Sequence, residues 1–159
     1  MKILMVCLGN ICRSPLAQGV LQHLADRKDL DWTIESAGVG GWHVGNPPDH
    51  RAIAVAKQHG IDVSGQRAQQ LSRSHFDQFD HILAMDRDNL RSLLGKAKTA
   101  EQRARIQLFL PGNEVPDPYY DDYLFESVYQ LIETRCRELV GLWRGNSQKI
   151  GSQKKAPPK

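Results

Sequence analysis

The segment Cys7-Leu8-Gly9-Asn10-Ile11-Cys12-Arg13-Ser14 constrains this chain more than any other. It joins an apolar run, Ile3-Leu4-Met5-Val6, to a Ser14-Pro15 pair of the kind that opens a helix. A strand, a tight loop and a helix N-terminus make a ready-made anion site, because backbone N–H groups converge there and the helix dipole favours negative charge. Cys7 adds a thiol at the start of the loop, where a helix N-terminus and an arginine favour the thiolate. Arg13 adds a planar fork suited to two phosphate oxygens. The unit reads as a phosphate-binding loop that attacks what it binds. A lone cysteine on a strand is more often a core residue, but this loop context reverses that preference.

The rest of the pattern extends the unit. Short apolar runs at Lys2–Val6, Trp32–Ser36, His81–Met85 and Arg105–Leu110 alternate with amphipathic stretches, the signature of an α/β fold. The expectation is a single domain over residues 1–143, with a four-stranded parallel sheet flanked by helices in a Rossmann-like three-layer arrangement. The first helix, with Ser14 placed to cap it, to donate to the Cys7 sulfur, or both, carries Leu16, Ala17, Val20, Leu21 and Leu24 on one face. Asp49 caps a second that Gly60 ends, Ser72 or Ser74 starts a short turn, and Arg87 to Leu94 forms another. The longest runs from about Asp122 to Trp143, with Leu124, Phe125, Val128, Leu131, Ile132, Cys136, Leu139, Val140 and Trp143 as its buried stripe and Gly145 as its stop. In an open α/β sheet, ligands bind beyond the carboxyl ends of the strands. That rule gathers Cys7, Ser36, the Trp42 loop, Asp86 and the segment after the fourth strand on one side.

Composition narrows the function classes. The net charge of +3 is produced by residues 144–159, which hold five basic side chains and no acidic ones, so the remaining chain stands at about −2. The body is therefore not a basic nucleic-acid binder, and the basic segment is expected to be a flexible tail. No stretch is long enough to span a membrane, and the N-terminal apolar run is too short for a signal peptide. Three cysteines with no framework spacing suit a reducing compartment, and the location expected is cytoplasmic. No Cys/His cluster has metal-ligand spacing, so neither a metal nor a cofactor is expected.

The chemistry follows from the loop. Gly9 permits close backbone approach to an anion and a positive φ, and Asn10 can tolerate the left-handed conformation or hydrogen-bond within the loop. No Gly-Lys-Ser/Thr follows, which disfavours a nucleoside triphosphatase. A thiolate attacking phosphorus expels an alkoxide or phenoxide that needs a proton. Asp117, in Val115-Pro116-Asp117-Pro118-Tyr119-Tyr120, is the best-placed donor, although Asp-Pro alone often makes only a turn. His43, within the glycine-rich loop 37–48, and His50, just beyond it, could tune substrate preference, but a solvated surface position is the commoner fate and they receive no role.

These residues together resemble the low-molecular-weight protein tyrosine phosphatase family. The resemblance runs from Lys2 to about Trp143, on Val6 to Pro15, Ser36-Ala37, Gly45-Asn46-Pro47-Pro48-Asp49 and Asp117-Pro118-Tyr119-Tyr120. It implies Cys7 as nucleophile, Arg13 as transition-state clamp and Asp117 as general acid and then base. The amides from Leu8 through Gly9, Asn10, Ile11 and Cys12 to Arg13 become the substrate cradle. Asn10, Ser14 and Ser36 match positions that hold the loop's shape, while Trp42 and Tyr119 match aromatic walls around a phenyl phosphate. Cys12 matches a cysteine that, in the family, forms a reversible disulfide with the nucleophile; a plain loop residue fits it equally well. Some family members carry a supporting histidine where this chain has Gly65. The implied partners are phosphotyrosine-containing proteins and a bound phosphate or other oxyanion, with no specific nucleic acid and no membrane.

Three alternatives use similar parts. Arsenate reductase chemistry needs a cysteine relay, and His81-Ile82-Leu83-Ala84-Met85-Asp86 contains no cysteine. Phosphoarginine phosphatases resemble the loop but tend to carry threonine at Ile11, where an apolar residue favours an aryl phosphoester. A simple anion-binding module needs no thiol.

Overall fold

The computed structural model describes the backbone of residues 1–155 and the side chains of residues 1–145. Its elements are β1 (Lys2–Cys7), α1 (Arg13–Arg27), β2 (Thr33–Gly38), α2 (His50–Gln58), α3 (His75–Gln78), β3 (His81–Ala84), α4 (Arg87–Lys96), α5 (Ala100–Ala104), β4 (Ile106–Leu108) and α6 (Leu124–Lys155). The four strands form one parallel sheet in the order β2-β1-β3-β4. The expected four-stranded α/β architecture is therefore what the chain adopts.

Alternation along β1 sorts its side chains between two cores. Ile3, Met5 and Cys7 face the side packed by α1, α2 and α6, while Leu4 and Val6 face Phe76, Phe79 and Leu93. All four aliphatic residues Ile3 to Val6 are fully buried, as expected of a strand covered on both faces. Because the chain leaves β1 for β2 on one side and later returns to β3 on the other, the strand order reverses at β1. The C-terminal end of β1 is thus the topological switch point where such sheets leave a crevice. The Cys7 loop starts there.

Several boundaries differ from the sequence reading. Ser14 does not cap α1: the helix already includes Arg13, Cys12 stands at the cap without a side-chain bond, and the Ser14 hydroxyl is bonded to Cys7 and Asn10. The expected stop at Gly145 is corrected as well, since α6 spans 32 residues and passes through it to Lys155. One interior glycine costs a helix only about 1 kcal/mol, which a long packed helix absorbs. Of the segment expected as a flexible tail, residues 156–159 lie outside the described residues. In the α6 stripe Leu131 is partly exposed, and Tyr129, absent from the expectation, is fully buried. The short α5 was not anticipated, although Thr99 and Gln102 carry a cap signal: the Thr99 hydroxyl accepts from the Gln102 N–H. Asp49 and Asp86 cap α2 and α4 through their carboxylates, and Gly60 takes φ +80° just after α2. Among the described residues no helix is long and apolar enough to cross a membrane.

Burial of His75 against Phe79 makes stability depend on pH. Its Nδ1 accepts the Ser72 N–H at 2.9 Å, and burial holds its pKa below the usual 6.5, against a smaller upward pull from Glu35. The folded state therefore favours neutral imidazole, and its stabilising contribution, present above 6.5, is lost as pH falls through that value toward the depressed folded pKa. Chemical denaturation from about pH 7.5 to about 5.5 should show the wild type losing more stability than His75→Asn.

Candidate active site

The cradle loop is held from outside through its carbonyls. Val39 and Gly40 donate their N–H groups to the Cys7 and Leu8 carbonyls, and Asp49 donates to Ile11 at 2.8 Å. With those carbonyls turned outward, the amides from Leu8 to Arg13 meet no backbone acceptor among the described residues. Asn10 sits at φ +60°, the left-handed conformation its residue type tolerates.

The side chain of Asn10 orders a buried hydrogen-bond relay. The backbone N–H of Gln69 donates to Asn10 Oδ1 at 2.9 Å. A backbone amide only donates, so Asn10 Nδ2 must face the two hydroxyls, Ser14 Oγ and Ser36 Oγ, each at 2.8 Å. Both hydroxyls accept from it and keep their own protons to give. Ser36 gives its proton to Gln18 Oε1 at 2.6 Å. Ser14 Oγ lies 3.0 Å from Cys7 Sγ, in a bond that either atom can donate, and its proton is available to the sulfur. Gln69 Nε2 also donates to the Ser36 carbonyl at 2.9 Å. Gln18 and Gln69 were not anticipated, and nothing in their sequence context singles them out. They support the loop from positions other than Gly65, which has open space around it.

Arg13 is almost fully buried, and its Nη1 is committed to protein. It donates to Asp86 Oδ2 at 2.8 Å and to the Val115 carbonyl at 2.9 Å. Asp86 is itself held, because its other oxygen accepts the Asn89 N–H that starts α4. Topology placed Asp86 on this side of the sheet; its pairing with Arg13 had no sequence signal. A buried ion pair of this kind contributes direction more than net stability. It leaves the rest of the fork aimed elsewhere, with Nη2 lying 3.7 Å from Asp117 Oδ2.

A cavity of about 370 Å³ opens over this arrangement. Cys7, Leu8, Gly9, Ile11, Cys12 and Arg13 line it from the loop, and Trp42, His43, Asp117, Tyr119 and Tyr120 line it from elsewhere. Asn10, Ser14 and Ser36, expected to hold the loop's shape, lie buried beneath it; Asn10 and Ser14, also expected to bind substrate, do not line the cavity. The cavity walls stand on glycines. A Cβ on Gly40 would meet the Trp42 ring at 1.9 Å, and one on Gly9 would press the His43 ring at 3.1 Å. His43, which the sequence reading left without a role, borders the cavity. Asp117 accepts the Tyr119 N–H at 3.1 Å, a turn that fixes acid and aromatic ring in one rigid unit.

The two cysteines differ in environment. Both are free thiols. Burial, reinforced by Asp49, Cys7 and Asp117, pushes the Cys12 thiol well above the ordinary range, against a smaller opposing effect of Arg51. Cys12 is thus kept protonated beside a sulfur that shares a hydrogen bond with the Ser14 hydroxyl. Among the described residues no group of three His, Cys, Asp or Glu side chains is arranged to hold a metal ion.

Comparison with known proteins bears on this geometry. Residues 2–155 match the sequence profile of the family described as low molecular weight phosphotyrosine protein phosphatase. The low molecular weight protein-tyrosine-phosphatase YfkJ of Bacillus subtilis is 42% identical over 146 residues, covering 87% of this chain and 93% of that protein. Its crystal structure superposes with a TM-score of 0.84, covering 92% of this chain and 96% of that one at 38% identity. Vibrio vulnificus Wzb in complex with benzylphosphonate gives 0.78 at 36% identity, covering 87% and 95% of the two chains. A Drosophila arginine phosphatase gives 0.82 at 34% identity, covering 90% and 98%. The chain belongs to the low molecular weight phosphotyrosine protein phosphatase family.

Proposed function

We propose that this phosphatase hydrolyses phosphotyrosine in proteins, and small aryl phosphates, through a cysteinyl-phosphate intermediate. The observation that carries the reading is one cavity bordered by a buried thiol, a buried arginine and an aspartate 3.7 Å from that arginine. In the first step Cys7 Sγ bonds to phosphorus as the phosphorus–oxygen bond to tyrosine breaks. Asp117 gives its proton to the departing phenolate. The cradle amides and the remaining edge of Arg13 hold the equatorial oxygens, where charge-assisted bonds are strongest. In the second step Asp117, now a carboxylate, takes a proton from water as the water oxygen bonds to phosphorus and the phosphorus–sulfur bond breaks. The Ser14 hydroxyl, aimed at the sulfur by Asn10, stabilises the departing thiolate. The protein supplies nucleophile and acid from its side chains and the anion cradle from backbone amides and Arg13, so the reaction asks for no metal.

Trp42 and Tyr119 suit an aryl group with a tetrahedral oxyanion at its end. Benzylphosphonate on the Vibrio vulnificus relative supports that ligand class. The name of the Drosophila relative keeps phosphoarginine as the second reading. Ile11 argues for the first, since it presents hydrocarbon to the cavity where a guanidinium would want acceptors.

Cys7→Ser should abolish turnover of an aryl phosphate while phosphate or vanadate binding, followed by calorimetry, persists. Asp117→Ala should lose about 10²- to 10⁴-fold in kcat/KM on phenyl phosphate, the range expected of a general acid. Wild-type activity should be unchanged by excess chelator; a requirement for added metal would overturn the mechanism. With phosphotyrosine and phosphoarginine assayed side by side, the aryl ester should be preferred, and the reverse would replace the substrate class while leaving the mechanism intact.

A further inference from the structure

Arg51 does not line the cavity but contacts three segments around it: the α2 cap, the 117–122 loop and the start of α6. Its guanidinium grips Asp49 with two bonds, Nε to Oδ1 at 2.9 Å and Nη2 to Oδ2 at 2.8 Å. Its third nitrogen, Nη1, donates to Asp122. The same guanidinium lies 5.5 Å from the Tyr119 ring centroid and 4.7 Å from that of Phe125, which starts the packed face of α6. Each partner leads to a different part of the site. Asp49 donates its N–H to the Ile11 carbonyl of the cradle. Tyr119 donates its N–H to Asp117. Asp122 closes the far end of the same loop, 117–122. One side chain therefore joins the segment behind the phosphate cradle to the loop carrying the candidate acid.

We infer that Arg51 is a positioning residue for Asp117, fixing the acid loop over the cradle so that the carboxyl meets the leaving oxygen. The inference rests on the proposed role of Asp117 as general acid. The physical argument is one of restraint. Asp117 is held by a turn within its own loop and by a loose 3.7 Å approach to Arg13. Neither fixes the loop against the rest of the fold. Arg51 does, with a planar fork on one carboxylate, a bond to another and two aromatic rings within reach. Lysine reproduces the charge alone. A misplacement on the order of 1 Å at a reacting group costs about 10²-fold, so a loop released at one anchor loses part of its acid catalysis while the nucleophile beneath keeps its geometry.

The test uses two aryl phosphates that differ in their need for a proton. Phenolate is a poor leaving group and depends on the acid; 4-nitrophenolate is a good one and depends on it little. For Arg51→Gln, kcat/KM should fall about tenfold on phenyl phosphate and less than about threefold on 4-nitrophenyl phosphate, a fraction of a general acid's full contribution. Arg51→Lys should recover only part of the loss. Asp122→Asn, which leaves the α2 cap and the Asp49 fork intact, should show the same split at smaller size, and it carries the test if Arg51→Gln folds poorly. Equal losses on both substrates, or no loss, in both Arg51→Gln and Asp122→Asn would overturn the inference. Asp117→Ala run alongside separates the two claims. A large split there without one in the Arg51 and Asp122 variants rejects the positioning role alone. No split in Asp117→Ala rejects the general acid, and the inference with it.

Discussion

A single backbone donor, the Gln69 N–H on Asn10 Oδ1, sets the direction of every hydrogen bond beneath the cradle. Reverse it and Asn10 would turn its carbonyl toward two hydroxyls, which would then donate to it and lose their other acceptors. With it in place, Ser36 points its proton at Gln18, and Ser14 has a proton available for the sulfur beside it. The arrangement contains no titratable group between Gln69 and Cys7, so its polarity does not change with pH. It also explains why a serine suited to capping a helix is not used as a cap: its oxygen already accepts from Asn10 and its proton is needed elsewhere.

Around that relay the site is assembled from two kinds of restraint. Below the cavity, burial does the work. Arg13 has almost no exposed surface, and the bonds to Asp86 and Val115 leave its guanidinium one orientation. At the rim the groups are more exposed, and restraint comes from ion pairs, turns and aromatic faces seated on glycine. The division suits the chemistry. The groups proposed to meet charge at phosphorus are buried, whereas the rim, on the proposed function, admits and releases the substrate.

Much of this was legible in the sequence where the information is local. The strand Lys2–Cys7, the helix after it, the Asp49 cap and the left-handed Asn10 all follow from residue type and spacing, because each depends on neighbours a few positions away. The long α6 face was recognised from its period, but its stop was misplaced: Gly145 weakens a helix without ending it. α5 escaped notice because five residues with no buried side chain leave no periodic signal. Gln18 and Gln69 escaped for a different reason. Glutamine is common on surfaces, and nothing local marks the two that turn inward.

The sequence by itself determined the chemistry of the loop: a thiol, a run of amides, a guanidinium and a helix start lie within eight consecutive residues, so no long-range folding is needed to bring them together. Tertiary structure decided what those groups face. Asp86, Val115 and Asp117 reach Arg13 from 73 to more than 100 residues away, and Gln69 reaches Asn10 from 59 away. Those meetings depend on the strand order β2-β1-β3-β4, which brings the ends of β3 and β4 round to the switch point beside β1. Spacing along a chain encodes the first kind of contact; only the packing of crossovers on a sheet produces the second.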